Sequence, residues 1–137
     1  MSYLLDTNTV SELSKPKPDP NVIAWVNSNH RECFLNAITI GELVKGVEML
    51  PEGKKRRRLG RELRFLQEDY RDRILAYDEM TAAEWGRLYA AAAKANRRLS
   101  LEDSLIEAIA LSHELTLATH NTKDFFRVTT VDPWLPT

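Results

Sequence analysis

Apolar positions along the chain come in short bursts that alternate with longer amphipathic runs. Residues 2–5 bring Tyr3, Leu4 and Leu5 together and read as a short buried strand. Lys15–Pro20 has proline at every second position and reads as a turn. Between Asn21 and Asn29, Val22, Ile23, Trp25 and Val26 predict a helix, ahead of a second strand near Cys33-Phe34-Leu35. Glu42, Leu43, Val47 and Leu50 belong to a helix that stops at Pro51, and Leu59, Leu63, Leu66 and Tyr70 form the apolar stripe of the next one. Ile74-Leu75-Ala76-Tyr77 reads as a third strand. Thr81 then opens a helix with Trp85, Leu88, Tyr89 and Ala92 on one face, and Asp103 begins another through Leu105, Ile106, Ile109 and Ala110. Residues 115–118 and 128–131 close the chain as strands, with Pro133 ending the pattern. Strands alternating with helices predict an α/β fold with a mainly parallel central sheet between helical layers. A length of 137 residues suits one domain spanning 1–137.

Asp6 stands where the first strand gives way to the polar Thr7-Asn8, the edge at which open α/β sheets build their sites. No apolar helical run follows it at once, so the local alternative for Asp6 is an Asx turn onto the next backbone amides rather than a helix cap. Other acids have a plainer reading. Thr39-x-x-Glu42 and Thr81-x-x-Glu84 match the capping box, Ser100-x-x-Asp103 resembles it, and Asn121-x-x-Asp124 could act likewise. Topology nonetheless favours a cluster, because strand C-termini and helix N-termini share one edge of a parallel sheet. Asp6, Asp103 and Asp124 can therefore face one crevice. Clustered carboxylates repel unless a cation or proton intervenes, and oxygen-only ligands select Mg²⁺ or Mn²⁺. Such a site hydrolyses phosphodiesters without a protein nucleophile. Asn8, Ser11 and Thr119 are candidates for orienting the carboxylates, whereas Glu84 has no signature beyond its box.

Composition narrows these readings only a little. A net charge of −1 argues against a globally basic nucleic-acid binder, although Lys54-Lys55-Arg56-Arg57-Arg58 with Arg61 and Arg64 concentrates positive charge on one helix. That run suits RNA phosphates, an acidic partner segment or plain solvation. The lone Cys33 excludes an internal disulfide and reads as core. No secretory leader pattern or membrane-length apolar run occurs, so the expected location is cytoplasmic with no membrane partner. His30 and His113 suit surface or capping roles. The Trp and Tyr residues fall on apolar stripes, and nucleotide-loop and serine-hydrolase fingerprints are missing.

Four segments together carry a family resemblance: Leu4-Leu5-Asp6-Thr7-Asn8; Glu42-Leu-x-x-Gly46; Asp103-Ser-Leu-Ile-x-Ala-Ile-Ala-x-x-His113; and Leu115-Thr-Leu-Ala-Thr119-His-Asn121-x-x-Asp124-Phe125. They resemble the motif blocks of the PIN-domain ribonucleases, specifically VapC-type toxins of type II toxin–antitoxin modules, with the FitB-like branch close. The resemblance implies an α/β/α sandwich and Mg²⁺-dependent endoribonuclease activity, with Mn²⁺ able to substitute, leaving 5′-phosphate and 3′-hydroxyl ends. It implies a small antitoxin that blocks the site, a homodimer within a toxin–antitoxin hetero-oligomer, and DNA contact only through the antitoxin. By position, Asp6, Glu42 and Asp103 match the family's metal-holding acids. Asp124 is the carboxylate left to complete the catalytic set, because Asn121 stands where many members carry an acid. His120 replaces a common arginine. Glu107 occupies a position usually small, one turn beyond Asp103, and reads as an extra ligand or as a solvated charge. Rival readings are a metal-assisted phosphatase, a phosphoacceptor receiver domain, and a FitB-like component that acts chiefly by joining its antitoxin on an operator.

Overall fold

A computed structural model describes residues 1–136. Five short strands, β1 (Tyr3–Leu5), β2 (Cys33–Asn36), β3 (Ile74–Leu75), β4 (Thr116–Ala118) and β5 (Thr130–Val131), form one sheet in the order β3-β2-β1-β4-β5, parallel throughout. Tyr3 lies opposite both Cys33 and Thr116, which fixes the central register. Six α-helices surround it: α1 (Thr7–Leu13), α2 (Pro20–Asn29), α3 (Ala37–Glu48), α4 (Lys54–Asp69), α5 (Glu79–Lys94) and α6 (Leu101–Ser112).

The pleat accounts for the sandwich. Adjacent strand residues point to opposite faces, so Leu5 packs with Val10, Val22, Trp25 and Val26 of α1 and α2, while Leu4 packs with Ile106 and Ile109 of α6. Strands buried on both sides need near-continuous apolar runs, which is what residues 3–5, 33–35 and, with Thr116 as the one interruption, 115–118 supply. Chain order reverses at β1, flanked by β2 on one side and β4 on the other, so the crevice of this sheet opens at the carboxyl end of β1, beside Asp6. Among the described residues no helix is long and apolar enough to cross a membrane.

Several boundaries differ from the sequence reading. A helix does follow Asp6 at once: α1 is capped by Asp6 and tied to the sheet where Thr9 Oγ1 donates to the Ala118 carbonyl at 2.9 Å. Helix α3 begins a turn earlier than expected because Asn36, not Thr39, is its cap, and α5 begins at Glu79 under Asp78 rather than at Thr81. Ser100 caps α6 as its pattern suggested, although the helix starts at Leu101 and Asp103 is already inside it. The last strand is shorter than 128–131 because the Val128 amide is committed to a side chain, described below.

Helices α5 and α6 both end in Schellman motifs. In α6 the Leu115 amide donates to Ala110 O and the Glu114 amide to Leu111 O, which forces Glu114 to φ 54°. In α5 the same position is held by Asn96, a residue that tolerates this conformation. Glu114→Gly is therefore expected to stabilise the protein by about 0.5–1 kcal/mol, after allowing for the greater unfolded-state entropy of glycine. Urea unfolding measures it; a loss of stability would contradict the strain assigned to Glu114.

Candidate active site

The carboxyl edge of the sheet carries two hydrogen-bonded chains that end on carboxylates. In the first, Asp6 Oδ1 accepts the Thr7 amide at 2.9 Å and Oδ2 accepts the Thr119 hydroxyl at 2.7 Å, joining β1 to the residue that follows β4. Thr119 is itself held by donors from Asn8 Nδ2 and the Asn121 amide. The second chain starts at the wholly buried Asn36, whose Nδ2 donates to Thr39 Oγ1 at 3.1 Å; Thr39 contacts Thr7 Oγ1 at 2.9 Å, and Thr7 donates to Glu42 Oε1 at 2.7 Å. Because the Thr7 proton is used on Glu42, the Thr39 hydroxyl donates to Thr7, and the relay runs one way. Glu42 is thus freed from its expected capping box and pinned toward α1 instead.

Asp6 is only 4% exposed, and its carboxyl is pushed up to about 6. Burial is the main cause, opposed by the Thr119 and Thr7 hydrogen bonds and reinforced by the charges of Asp103 and Glu42. Asp103, half-buried near the start of α6, is also raised by burial; its bond with Ser100 opposes, while Asp124, Glu102 and Glu107 add to the rise. Asp124 is exposed, on a 3₁₀ turn over Thr122–Asp124. The charges of Asp103 and Glu42 thus reach Asp6, and that of Asp124 reaches Asp103, along the same edge of the sheet.

Among the described residues no three of His, Cys, Asp or Glu converge tightly enough to cage an ion. The donor set still fits a hard divalent cation. It is all oxygen, and Mg²⁺ takes one or two carboxylates and completes its shell with water or phosphate oxygens. A buried carboxyl held this far up is also the group a cation would return to its charged form.

Glu107 is neither a ligand in waiting nor a solvated charge. It is fully buried, and its carboxylate accepts the amides of Phe126, Arg127 and Val128. From the other side Arg97 donates to the carbonyls of Lys123 and Phe125 at 3.1 and 3.2 Å. The two side chains clamp the loop that carries Asp124 against the helix that carries Asp103. Sequence reasoning also missed Thr7 and Asn36. The available signal was a polar residue at the end of each apolar burst. Thr119 and Asn8 take the orienting role expected of them, whereas Ser11 lines a neighbouring cleft. Glu84 pairs with Arg87 at 3.0 Å and caps nothing.

That cleft, of about 1330 Å³, runs from Thr7 and Glu42 between α1, α3 and α4, with Leu43, Val47, Leu59 and Leu63 along it. Lys54, Lys55, Arg57, Arg58 and Arg61 edge it. Part of the basic run is spent within the molecule, since Arg56 pairs with Glu48 and Glu52, and Arg58 with Glu62. Cys33 is fully buried, and burial pushes its thiol up to about 12, so it is an inert core residue as expected.

A parallel α/β/α sandwich with acids along its carboxyl edge is the architecture of a PIN domain, and residues 3–131 match that domain. The chain is 38% identical over 135 residues to Toxin FitB of Neisseria gonorrhoeae, covering 96% of this chain and 97% of FitB. It is 33% identical to the VapC ribonuclease Y4jK of Sinorhizobium fredii, covering 97% and 98% of the two chains. A solved structure of FitAB bound to an IR36 DNA fragment superposes with a TM-score of 0.93 at 34% identity, over 98% of this chain and 97% of that one. The chain belongs to the PIN-domain family, among its VapC-type toxins.

Proposed function

We propose that this protein is a metal-dependent endoribonuclease that serves as the toxin of a toxin–antitoxin module. The observation that carries the reading is Asp6, buried at the carboxyl edge of the sheet and pushed up to about 6 with the charges of Asp103 and Glu42 beside it. Its relatives support the activity: one is named a toxin and another a VapC ribonuclease. In this reading Asp6, Glu42 and Asp103 hold Mg²⁺ or Mn²⁺, and Asp124 completes the site. The ion supplies polarisation of the scissile phosphodiester and a bound water of lowered pKa. Thr119 and Thr7 hold the Asp6 carboxylate with both oxygens oriented, the relay from Asn36 aims Glu42, and the Glu107–Arg97 clamp sets where Asp124 sits. An acidic or amphipathic antitoxin segment fits the apolar cleft with its basic edge, and a second copy of the chain and DNA would be met within that complex.

Cleavage of total cellular RNA, with Mg²⁺ and with chelator, tests the reading. Wild type should cut only with metal and leave 5′-phosphate ends, and Asp103→Asn should not cut. Metal-independent cutting, or full activity in Asp103→Asn, would refute it. The FitAB–DNA complex favours a second reading, in which the chain acts chiefly by joining an antitoxin on DNA. No cleavage by a protein that still copurifies with a small partner would support that one.

Arg57 and Arg61 lie on the exposed edge of the cleft and, among the described residues, form no ion pair. Changing both to glutamine is expected to weaken RNA binding and to lower the dependence of log affinity on log salt by about 1 to 2, at roughly 0.7 per phosphate contact. The double change leaves Leu59, Leu63 and Leu66 in place, so folding should survive. An unchanged slope would assign this edge to solvent or to the antitoxin.

A further inference from the structure

His120 follows directly on Thr119, the hydroxyl donor to Asp6, so the strand before it sets its backbone one residue from the acidic edge. The His120 amide donates to Asn8 Oδ1 at 3.4 Å. Its ring lies over the Trp134 indole with centroids 4.4 Å apart and planes tilted by 30°. Asp132 Oδ1 holds the ring edge, 3.3 Å from Nδ1, and also accepts the Trp134 amide at 2.9 Å. Trp134 is in turn seated against the core cluster of Leu5, Val26 and Leu35, and its carbonyl accepts Asn21 Nδ2 at 2.8 Å. The imidazole is thus backed by one aromatic ring, gripped at its edge and anchored through its backbone, while the side chain remains 53% exposed.

A rigid, backed, half-open aromatic ring beside a phosphodiester-cleaving site has an evident use. Unpaired bases stack on such rings, and the contact tolerates any sequence because every base has a π face. The charges nearby argue for a base rather than a phosphate. Asp132 touches the ring edge, and the Asp6 carboxylate is hydrogen-bonded to Thr119, the residue before His120. A phosphate would meet this negative surroundings unfavourably, whereas a neutral base would not. We propose that His120, backed by Trp134, is the stacking platform for a base of single-stranded RNA adjoining the phosphodiester held at the Asp6–Asp103 crevice. This rests on the ribonuclease reading.

The test uses a single-stranded RNA hexamer carrying 2-aminopurine, whose emission falls when the base stacks on an aromatic ring. Binding to the Asp6→Asn protein should quench it. Adding His120→Ala should restore the emission and weaken binding by about tenfold, the size of one base–aromatic contact, while His120→Phe should keep both quenching and affinity. In the cleaving background, His120→Ala should raise KM with kcat little changed, because stacking binds ground and transition states alike. Unchanged emission and affinity in His120→Ala would overturn the platform. So would a His120→Phe protein as defective as His120→Ala, since the imidazole would then act through its nitrogens. A wild type that neither binds nor cuts single-stranded RNA would remove the ribonuclease reading itself; cutting with an unaltered KM in His120→Ala would remove the platform alone.

Discussion

Asp6→Asn is expected to melt at a higher temperature than wild type in chelator at neutral pH, and to be inactive on RNA. A carboxyl raised from 3.8 to about 6 in the folded state costs that state on the order of 3 kcal/mol once it is ionised. The folded form binds this proton more tightly than the unfolded form does. Its contribution is therefore favourable at low pH, is lost between about pH 4 and pH 6, and stays lost above that window. Asparagine carries no charge to desolvate. Its single oxygen keeps the Thr7 amide but gives up the Thr119 hydroxyl, which trims the gain without cancelling it. A reduced advantage of Asp6→Asn should therefore be present at pH 7 and vanish near pH 4. Divalent metal should close the gap from the other side. At about a hundred times its dissociation constant it raises wild-type stability by roughly 2.7 kcal/mol, provided the unfolded chain does not bind. The increment should shrink in Asp6→Asn. Thermal scans of both proteins at pH 4 and pH 7, with chelator and with Mn²⁺, provide the measurement. Equal melting temperatures in chelator at pH 7 would mean that Asp6 is not held against its own charge.

Glu107→Gln should cost about 2–4 kcal/mol of stability and most of the activity. The wild-type carboxylate accepts three amides, and a carboxamide offers one acceptor oxygen while turning an NH₂ group toward the remaining donors. Buried amides left without partners are a large mechanism of destabilisation, and here the loop they belong to carries Asp124. Glu84→Gln is the comparison. Glu84 meets only the exposed Arg87, so its loss should fall within about 0.5 kcal/mol, with activity intact. Urea unfolding and RNA cleavage on the two variants separate the cases. A Glu107→Gln protein as stable as wild type would remove the clamp from the account.

Two helix starts show where sequence patterns stop discriminating. Thr39-x-x-Glu42 and Thr81-x-x-Glu84 look like capping boxes, yet the caps are Asn36 and Asp78, each three residues upstream, bonding the amides of Thr39 and Thr81. An Asn-x-x-Thr or Asp-x-x-Thr start one turn earlier satisfies the same geometry, and the apolar stripe of the helix does not distinguish them. Helix α1 is harder still. Its seven residues carry only Val10 and Leu13 as large apolar groups, and its helical state rests on the Asp6 cap and on Thr9 reaching Ala118.

What the sequence determined by itself was local in range: which runs are apolar enough to be buried strands, which stripes repeat at helical spacing, and hence that the sheet is mainly parallel and Asp6 ends its first strand. Those properties follow from neighbours within a turn or a pleat, where side-chain period and burial leave few choices. The tertiary structure alone decided what fills each carboxylate. Thr119 reaches Asp6 across 113 positions, Thr7 reaches Glu42 across 35, and the amides on Glu107 come from 19 to 21 residues away. Buried charges take partners from whichever segments folding brings alongside, and no short-range pattern records which segments those will be.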